Sequence, residues 1–245
     1  MPVAIPNFEY SYLRKGKPVF VPTKIGRRIG KEIKEAVEGA YAFDPIYFHL
    51  RRGGHVAAMH HHRINHFFAR IDISNFFYSI SRRRVQSALD RIGIANARFY
   101  AQWSTIVNPF GDPRYSLPYG FVQSPILASL VVATSELGQQ LRQLPATIKV
   151  GVYVDDISLS SDNVDELQKA YDATLAIIGS DGFAVSDDKL RPPAPAIDIF
   201  NCDLAHGQSS VTDVRVNAFF SSQRSLEAEE AFVSYCASVE VGNHP

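Results

Sequence analysis

Residues 149–159 read Lys-Val-Gly-Val-Tyr-Val-Asp-Asp-Ile-Ser-Leu, two β-rich runs that meet at a pair of acids, Asp155 and Asp156. The runs at 147–154 and 157–160 predict the arms of a tight β-hairpin with the acids at its turn. Adjacent aspartates are common in turns, so the pair alone has an ordinary structural explanation. Two carboxylates on one turn also repel each other, and a hard divalent cation relieves that repulsion. The hairpin is therefore a metal site only if a second element supports it.

A second acid lies in the segment 69–77, Ala-Arg-Ile-Asp-Ile-Ser-Asn-Phe-Phe, at the end of a predicted buried strand. Asp72 stands between two isoleucines, where an unpaired carboxylate would be costly. If this strand neighbours the hairpin, Asp72 and Asp155 can face one another. They would then hold two metals about 3.5–4 Å apart, the arrangement used for in-line nucleotidyl transfer.

A third element, residues 117–125, reads Leu-Pro-Tyr-Gly-Phe-Val-Gln-Ser-Pro. Gly120 allows another backbone or a ligand to approach closely. Pro125 suits the first turn of the long apolar helix predicted for 123–141. By itself the segment is explained equally well as a loop that enters a helix.

The rest of the chain alternates strand and helix patterns, which predicts an α+β fold with helices packed on a sheet. Residues 24–40 have apolar positions spaced as in an amphipathic helix, and Ser81 is placed to cap a helix through residue 91. Residues 1–17 are expected to be irregular, and 183–185 and 211–216 to be short strands. The chain has neither a GxGxxG nor a GxxxxGK[ST] loop, which excludes dinucleotide-binding and P-loop proteins.

The amino-acid composition excludes several further classes of protein. The 245 residues are 46% hydrophobic and 20% charged, which excludes general disorder. Two cysteines are too few for a disulfide framework or a cysteine-rich zinc site. No apolar run is long enough for a membrane span, and the first residues lack the apolar stretch of a signal peptide, so we expect a cytoplasmic protein without a membrane partner.

The net charge of zero conceals an asymmetry, because residues 1–98 carry +10 and residues 99–245 carry −10. This distribution suits a protein that grips a polyanion with one region and holds cations in another. Two ordinary solvated surfaces would explain it as well.

In chain order, the segments at 69–77, 117–125 and 149–159 resemble the palm motifs of reverse transcriptases, namely the first palm motif, the PxGxxxSP motif and the YVDD metal-binding signature. Residues 182–189, Gly-Phe-Ala-Val-Ser-Asp-Asp-Lys, resemble the next motif of that family, which supplies a lysine. Residues 49–62, His-Leu-Arg-Arg-Gly-Gly-His-Val-Ala-Ala-Met-His-His-His, resemble the fingers segment of retron and group II intron enzymes. The likeness covers roughly residues 18–220, and the short bacterial form resembles the abortive-infection and defence-associated groups.

The resemblance implies a right-hand polymerase with fingers and an antiparallel palm sheet packed on helices, and with the thumb minimal or absent. We expect a fingers-like region at 1–66 and a palm at 67–220 with a fingers insertion at about 82–118. A short C-terminal helix at 221–245 would stand in place of a thumb.

The resemblance also implies the metal site. Asp72 and Asp155 would ligate two Mg²⁺ ions, with Mn²⁺ as an alternative, and Asp156 would support them. The carbonyl of Ile73 is expected to add a ligand. Lys189 would donate a proton to pyrophosphate or contact the triphosphate, although a solvated loop lysine is an equal alternative.

Phe77 occupies the position where the family keeps a bulky aromatic beneath the nucleotide sugar, which favours dNTP over NTP; a plain core phenylalanine is the alternative. The other residues expected to bind the nucleotide are Ile73, Asn75, Phe76, Tyr119, Gly120 and Gln123. The residues expected to contact nucleic acid are Lys24, Arg27, Arg28, Arg51, Arg52, Arg82 and Arg83. His62 and His66 lack a third zinc ligand at useful spacing, so we expect contact with the template or with palm side chains instead.

The implied function is RNA-directed DNA polymerisation, with an RNA template, a DNA primer or product and dNTPs, in bacterial phage defence or a retroelement. A template-independent or protein-primed DNA polymerase is the first alternative. A non-catalytic nucleic-acid-binding palm subunit of a larger complex is the second. A structured non-coding RNA, a partner protein or self-assembly is expected to supply the missing thumb.

Overall fold

A computed structural model describes residues 6–243. Its strands are β1 (Phe8–Arg14), β2 (Lys17–Pro22), β3 (Phe67–Asp72), β4 (Ile106–Val107), β5 (Tyr115–Ser116), β6 (Lys149–Tyr153), β7 (Asp156–Ser161), β8 (Arg191–Ala194), β9 (Ala196–Ile199), β10 (Cys202–Ala205) and β11 (Gln208–Val211). Its α-helices are α1 (Lys24–Ala40), α2 (Gly54–His62), α3 (Phe76–Ser79), α4 (Arg82–Arg91), α5 (Ala97–Ser104), α6 (Ser124–Ala133), α7 (Glu136–Gln143), α8 (Val164–Ser180), α9 (Asp213–Phe220) and α10 (Leu226–Glu240). The named strands pair antiparallel. The predicted α+β class with an antiparallel sheet is confirmed.

Contacts divide the described residues into two compact units, each built from several chain segments. Among the described residues, the first unit takes 6–44, 73–142 and 179–184, and the second takes 45–72, 143–178 and 185–243. The predicted division into fingers, palm and C-terminal helix follows different boundaries and stays a prediction; its outer segments also extend into 1–5 and 244–245, outside the described residues. Within 6–243, no helix combines the length and apolar character that crossing a membrane requires.

The second unit contains a four-stranded sheet with the order β6-β7-β3-β8. Phe68 and Ile71 of β3 are fully buried, as the sequence pattern predicts for a strand with both faces covered. A three-stranded sheet, β11-β10-β9, follows in the chain. Its buried residues share a core with α2, β3 and α10, formed by Met59, Phe68, Ile197, Ile199, Cys202, Leu204, Val211, Phe232 and Val239.

The first unit is mainly helical. Thr23 caps α1 by accepting the N–H of Gly26, and Ile29, Ile33 and Val37 form its buried stripe, as the spacing predicts. Ser81 caps α4 by accepting the N–H of Arg84, also as predicted.

The expectation that residues 1–17 are irregular is wrong for residues 8–14, which form β1 and pair with β2. Lys15 and Gly16 connect the two strands, and both have positive φ, 50° and 75°. Positive φ at both central residues is typical of the two-residue turn whose twist matches a hairpin. Residues 1–5 lie outside the described residues.

Three other expectations are wrong. The apolar run at 123–141 is two helices, because the chain leaves helical geometry between Ala133 and Glu136. Residues 183–185 do not form a named strand. The run at 211–216 ends β11 and begins α9, because Thr212 caps that helix by accepting the N–H of Arg215.

Candidate active site

Two acids stand side by side at the end of the four-stranded sheet in the second unit. Asp72 is the last residue of β3, Asp156 is the first of β7, and the register aligns their Cα positions. Asp72 is only 3% exposed. Asp156 is half-buried, and two carboxylates so close together and so shielded from water require positive charge or hydrogen-bond donors around them.

Asp72 receives donors from the segment that follows α8. Lys189 Nζ lies 3.0 Å from both Oδ1 and Oδ2 of Asp72. Ser186 donates its hydroxyl to Oδ1 at 2.6 Å and its N–H to the Asp72 carbonyl at 2.9 Å. A 3-10 turn at Asp187–Lys189 carries the lysine back toward the acid. The structure therefore brings the predicted residues Asp72 and Lys189 together.

Arg70 links the two acids from a position two residues before Asp72. Its Nε donates to Oδ1 of Asp156 at 2.6 Å, and its Nη2 lies 3.7 Å from Oδ2 of Asp72. Its Nη1 lies 3.7 Å from Oδ2 of Asp198, which Arg191 also contacts at 2.6 Å. Our sequence reasoning missed Arg70, although a charged residue two positions before an acid on a buried strand signals a pair on one side of the sheet.

Burial raises the pKa of Asp156 to about 6, although the Arg70 guanidinium opposes this by favouring the carboxylate. The negative charges of Asp155 and Asp72 raise that pKa further. Asp156 thus combines strong desolvation with mutual repulsion, a combination that often marks a functional carboxylate.

Asp155 lies between the arms of the β6–β7 hairpin and is half-buried. The register places Asp156, not Asp155, directly across from Asp72. The expectation that Asp72 and Asp155 jointly hold two ions stays a prediction, as does the ligand role of the Ile73 carbonyl.

The donor chemistry of this carboxylate cluster (Asp72, Asp155 and Asp156) fits a hard divalent cation, which prefers carboxylate oxygens. Asp72 and Asp156 are neutralised in the structure by Lys189 and Arg70. Among the residues at 6–243, no three His, Cys, Asp or Glu side chains are arranged as a metal site. A cation would therefore have to compete with these two basic side chains for the carboxylate oxygens.

The residues predicted to bind the nucleotide belong to the first unit, where several are in contact. The rings of Phe77 and Tyr119 meet edge to face with centroids 4.7 Å apart, and Phe76 packs against Phe77 at 5.7 Å. Asn75 is exposed and has a positive φ of 45°. Gln123 is 1% exposed and donates to Ser104 at 3.4 Å, so its side chain is directed into the unit.

Gly120 is required by its surroundings. Its φ is +102°, and a Cβ added there would overlap the carbonyl oxygen of Phe20. The close backbone approach expected for this glycine is therefore made by Phe20, whose N–H also donates to the Tyr119 carbonyl at 2.9 Å.

Most of the basic residues predicted to contact nucleic acid are on the surface. Arg82 is the exception, because it is half-buried, donates to Thr105 at 2.7 Å and lies 3.8 Å over the ring of Tyr115. The exposed members of this set are Lys24, Arg27, Arg28, Arg51, Arg52 and Arg83.

His62 and His66 do not form a common site. His62 is buried, and its two ring nitrogens lie 2.8 Å from the hydroxyls of Ser160 and Ser158 on β7. His66 is exposed and contacts Asp162 at 2.7 Å. His62 thus contacts side chains of the segment predicted to be the palm, one of the two outcomes expected for it.

The amino-acid sequence resembles that of known proteins. Residues 11–193 match the reverse transcriptase (RNA-dependent DNA polymerase) family. The chain is 22% identical over 188 residues to the retron Ec86 reverse transcriptase of Escherichia coli, covering 73% of this chain and 57% of that protein. It therefore spans little more than half the length of this curated relative.

Solved structures agree on the fold. Telomerase from Candida albicans aligns with a TM-score of 0.54 at 12% identity, over 78% of this chain and 37% of that one. The foamy viral protease-reverse transcriptase aligns with a TM-score of 0.53 at 18% identity, over 92% of this chain and 34% of that one. These likenesses confirm a fold of the palm and fingers type. With the family match extending over most of its residues, the chain belongs to the reverse transcriptase family.

Proposed function

We propose that the chain is an RNA-directed DNA polymerase that transfers dNTPs to a primer 3′-hydroxyl. The observation that carries the proposal is the alignment of the buried carboxylate Asp72 with the half-buried carboxylate Asp156 on adjacent strands, beside Asp155. Three acids at one sheet end repel each other, and divalent cations would relieve that repulsion. The family and the retron relative support this reaction class.

Asp72 and Asp155 would hold two Mg²⁺ ions, with Asp156 in support. When bound, the ions would make the primer hydroxyl more acidic and offset the charge of the departing pyrophosphate. Arg70 would keep Asp156 oriented through its 2.6 Å hydrogen bond. Lys189 Nζ, which contacts Asp72, would donate a proton to a pyrophosphate oxygen or contact the triphosphate.

The test is dNTP incorporation by the full chain on a primed RNA template with Mg²⁺. We expect Asp72→Ala and Asp155→Ala to lose at least about a thousandfold in kcat, because the charge that balances the ions is removed. Asp165→Ala is the matched control, since Asp165 is an exposed acid at the start of α8. Equal rates for wild type and Asp155→Ala would refute the proposal.

Two further measurements separate the alternatives. A product whose sequence ignores the added template would identify template-independent or protein-primed synthesis by the same carboxylates. Absence of any turnover, together with retained RNA binding, would identify a non-catalytic palm subunit.

Selection of dNTP would depend on Phe77, whose ring is buried and braced edge-on by Tyr119. A bulky ring beneath the sugar leaves no space for a 2′-hydroxyl. Phe77→Val should raise the ratio of kcat/KM for NTP to that for dNTP by at least about tenfold. An unchanged ratio would assign Phe77 to the core alone.

A role in phage defence or in a retroelement rests on the retron likeness. Sequencing the nucleic acid that co-purifies with the protein from its host would identify the template and the primer. Recovery of a DNA copied from one host RNA would support the retroelement role.

A further inference from the structure

A polar cavity of about 510 Å³ lies in the first unit beside α4. Three arginines line it, Arg83, Arg84 and Arg91, together with hydroxyl groups that include Ser87, Thr134 and Ser135. Its size is within the range of pockets that hold small molecules and could contain about one nucleotide. The residues of the carboxylate cluster belong to the second unit and do not contribute to it.

Two of the arginines are held in place by the protein. Arg84 donates to the carbonyl of Asp181 at 2.9 Å, and its guanidinium lies 4.0 Å over the ring of Phe183. Arg91 donates to the carbonyl of Thr134. Arg84 and Arg91 are seven residues apart, two turns of one helix, and therefore lie on the same side of α4. Holding these side chains in advance reduces the entropy lost when a ligand binds.

The cavity lining carries an excess of positive charge, with three arginines against two acids. Across residues 6–243, none of these three arginines forms a salt bridge with a carboxylate. Asp181 lines the cavity too, but one of its carboxylate oxygens accepts the N–H of Leu137 at 3.0 Å. Glu136 is the other acid of the lining.

We propose that this cavity binds a phosphate group, supplied by the backbone of single-stranded RNA or by a free nucleotide. Guanidinium groups match phosphate oxygens with paired hydrogen bonds. Ser87 adds a hydroxyl to the lining, whereas the hydroxyls of Thr134 and Ser135 donate to the carbonyls of Leu130 and Val132. An RNA phosphate bound there would give the protein a hold on RNA that does not involve the carboxylates. The inference goes beyond the proposed polymerase reaction and does not depend on it.

The test measures binding directly, in the absence of dNTPs and divalent ions. The probe is a fluorescently labelled single-stranded RNA of twelve nucleotides, titrated by anisotropy at several salt concentrations. The test variant is the double substitution Arg83→Ala with Arg91→Ala. The control is Arg98→Ala, which removes an exposed arginine of α5 that does not line the cavity.

We expect the double variant to bind RNA at least about tenfold more weakly, and the slope of log affinity against log salt to fall by about one to two. Arg98→Ala should change the RNA affinity and the salt slope less than the double variant does. A cooperative urea unfolding transition would establish that the double variant is folded. The variant Arg83→Lys with Arg91→Lys should recover part of the RNA affinity, because it restores the two positive charges.

Titration with AMP and with inorganic phosphate distinguishes the two sources. Binding of AMP to wild type but not to the double variant, with RNA affinity unchanged, would assign the cavity to a free nucleotide. Loss of RNA affinity without AMP binding would assign it to the RNA backbone. The proposal is overturned if the double variant binds RNA, AMP and phosphate as wild type does, whatever the outcome of the polymerase assay.

Discussion

The imidazole of His49 accepts the backbone N–H of Val154 at 3.1 Å through Nδ1, at the turn that immediately precedes Asp155. Val154 has a φ of 60°, a left-handed conformation that is costly for a β-branched residue. Burial lowers the pKa of His49 to about 4, so the ring is neutral near pH 7 and its nitrogen is able to accept. The ring of Tyr153 packs against the same imidazole in a T-shaped contact, with centroids 5.8 Å apart. His49 therefore stabilises a strained turn that carries a catalytic candidate.

This contact predicts that His49 acts as a positioning residue. In His49→Asn the side-chain oxygen stands near the place of Nδ1, so kcat should stay within about threefold of wild type. In His49→Phe the acceptor is lost, at a cost of about 1–3 kcal/mol, and kcat should fall at least about tenfold with little change in KM for dNTP. Steady-state primer extension measures kcat and the KM for dNTP of both variants. Equal kcat for the Phe and Asn variants would contradict the role.

We expect substitution of Arg70 to lower the stability of the folded protein strongly. Replacing Arg70 with Met leaves the buried Asp72 and the half-buried Asp156 without their shared cation, which should lower the free energy of unfolding by about 3–5 kcal/mol. Arg191→Met is the control, because that arginine contacts Asp198, which is 47% exposed, and should cost less than about 1 kcal/mol. Urea denaturation measures both variants. Adding Asp156→Asn to Arg70→Met should recover part of the loss, and failure to do so would mean that Arg70 acts through packing.

Gly120 and Gly16 form a matched pair. Both have positive φ, but only at Gly120 would an added Cβ meet another atom, the Phe20 carbonyl oxygen. Gly16→Ala should cost about 1–2 kcal/mol from backbone strain alone. Gly120→Ala should cost at least about 1 kcal/mol more, because the strand carrying Phe20 must shift. Similar midpoints in thermal unfolding would show that the close approach is easily relaxed.

His62 makes stability depend on pH. Burial lowers the pKa of His62 from 6.5 to about 3, so between these values the unfolded chain binds a proton that the folded chain excludes. The free energy of unfolding should therefore fall as the pH falls from about 6.5 toward 3, by at most about 1.4 kcal/mol per pH unit from this residue. His62→Gln, which does not titrate, should show a shallower slope. The difference in free energy of unfolding between His62→Gln and wild type at pH 8 gives the cost of the lost hydrogen bonds. If the free energy of unfolding falls equally steeply with pH in both proteins, His62 does not contribute to the pH dependence.

Several features were predictable because they depend on local pattern. Apolar spacing identified α1, a hydroxyl cap identified the start of α4, and β-rich runs around two acids identified the β6–β7 hairpin. The likeness of ordered motifs to a known family placed Asp72 and Lys189 among the predicted catalytic residues, and the structure brings the two side chains into contact. Conversely, the β1–β2 hairpin was missed because its turn lacks an Asn-Gly or Asp-Gly signal and depends on Lys15 adopting positive φ.

The amino-acid sequence alone determined the class of fold, the acids at the strand ends and the family, since periodicity, capping and motif order are written in neighbouring residues. Only tertiary structure decided that Asp156 stands across from Asp72, that Arg70 joins them, and that His49 receives the Val154 amide. Strand register and contacts across about a hundred residues depend on which buried surfaces pack together, and the choice among such pairings is made by the whole core rather than by any local segment.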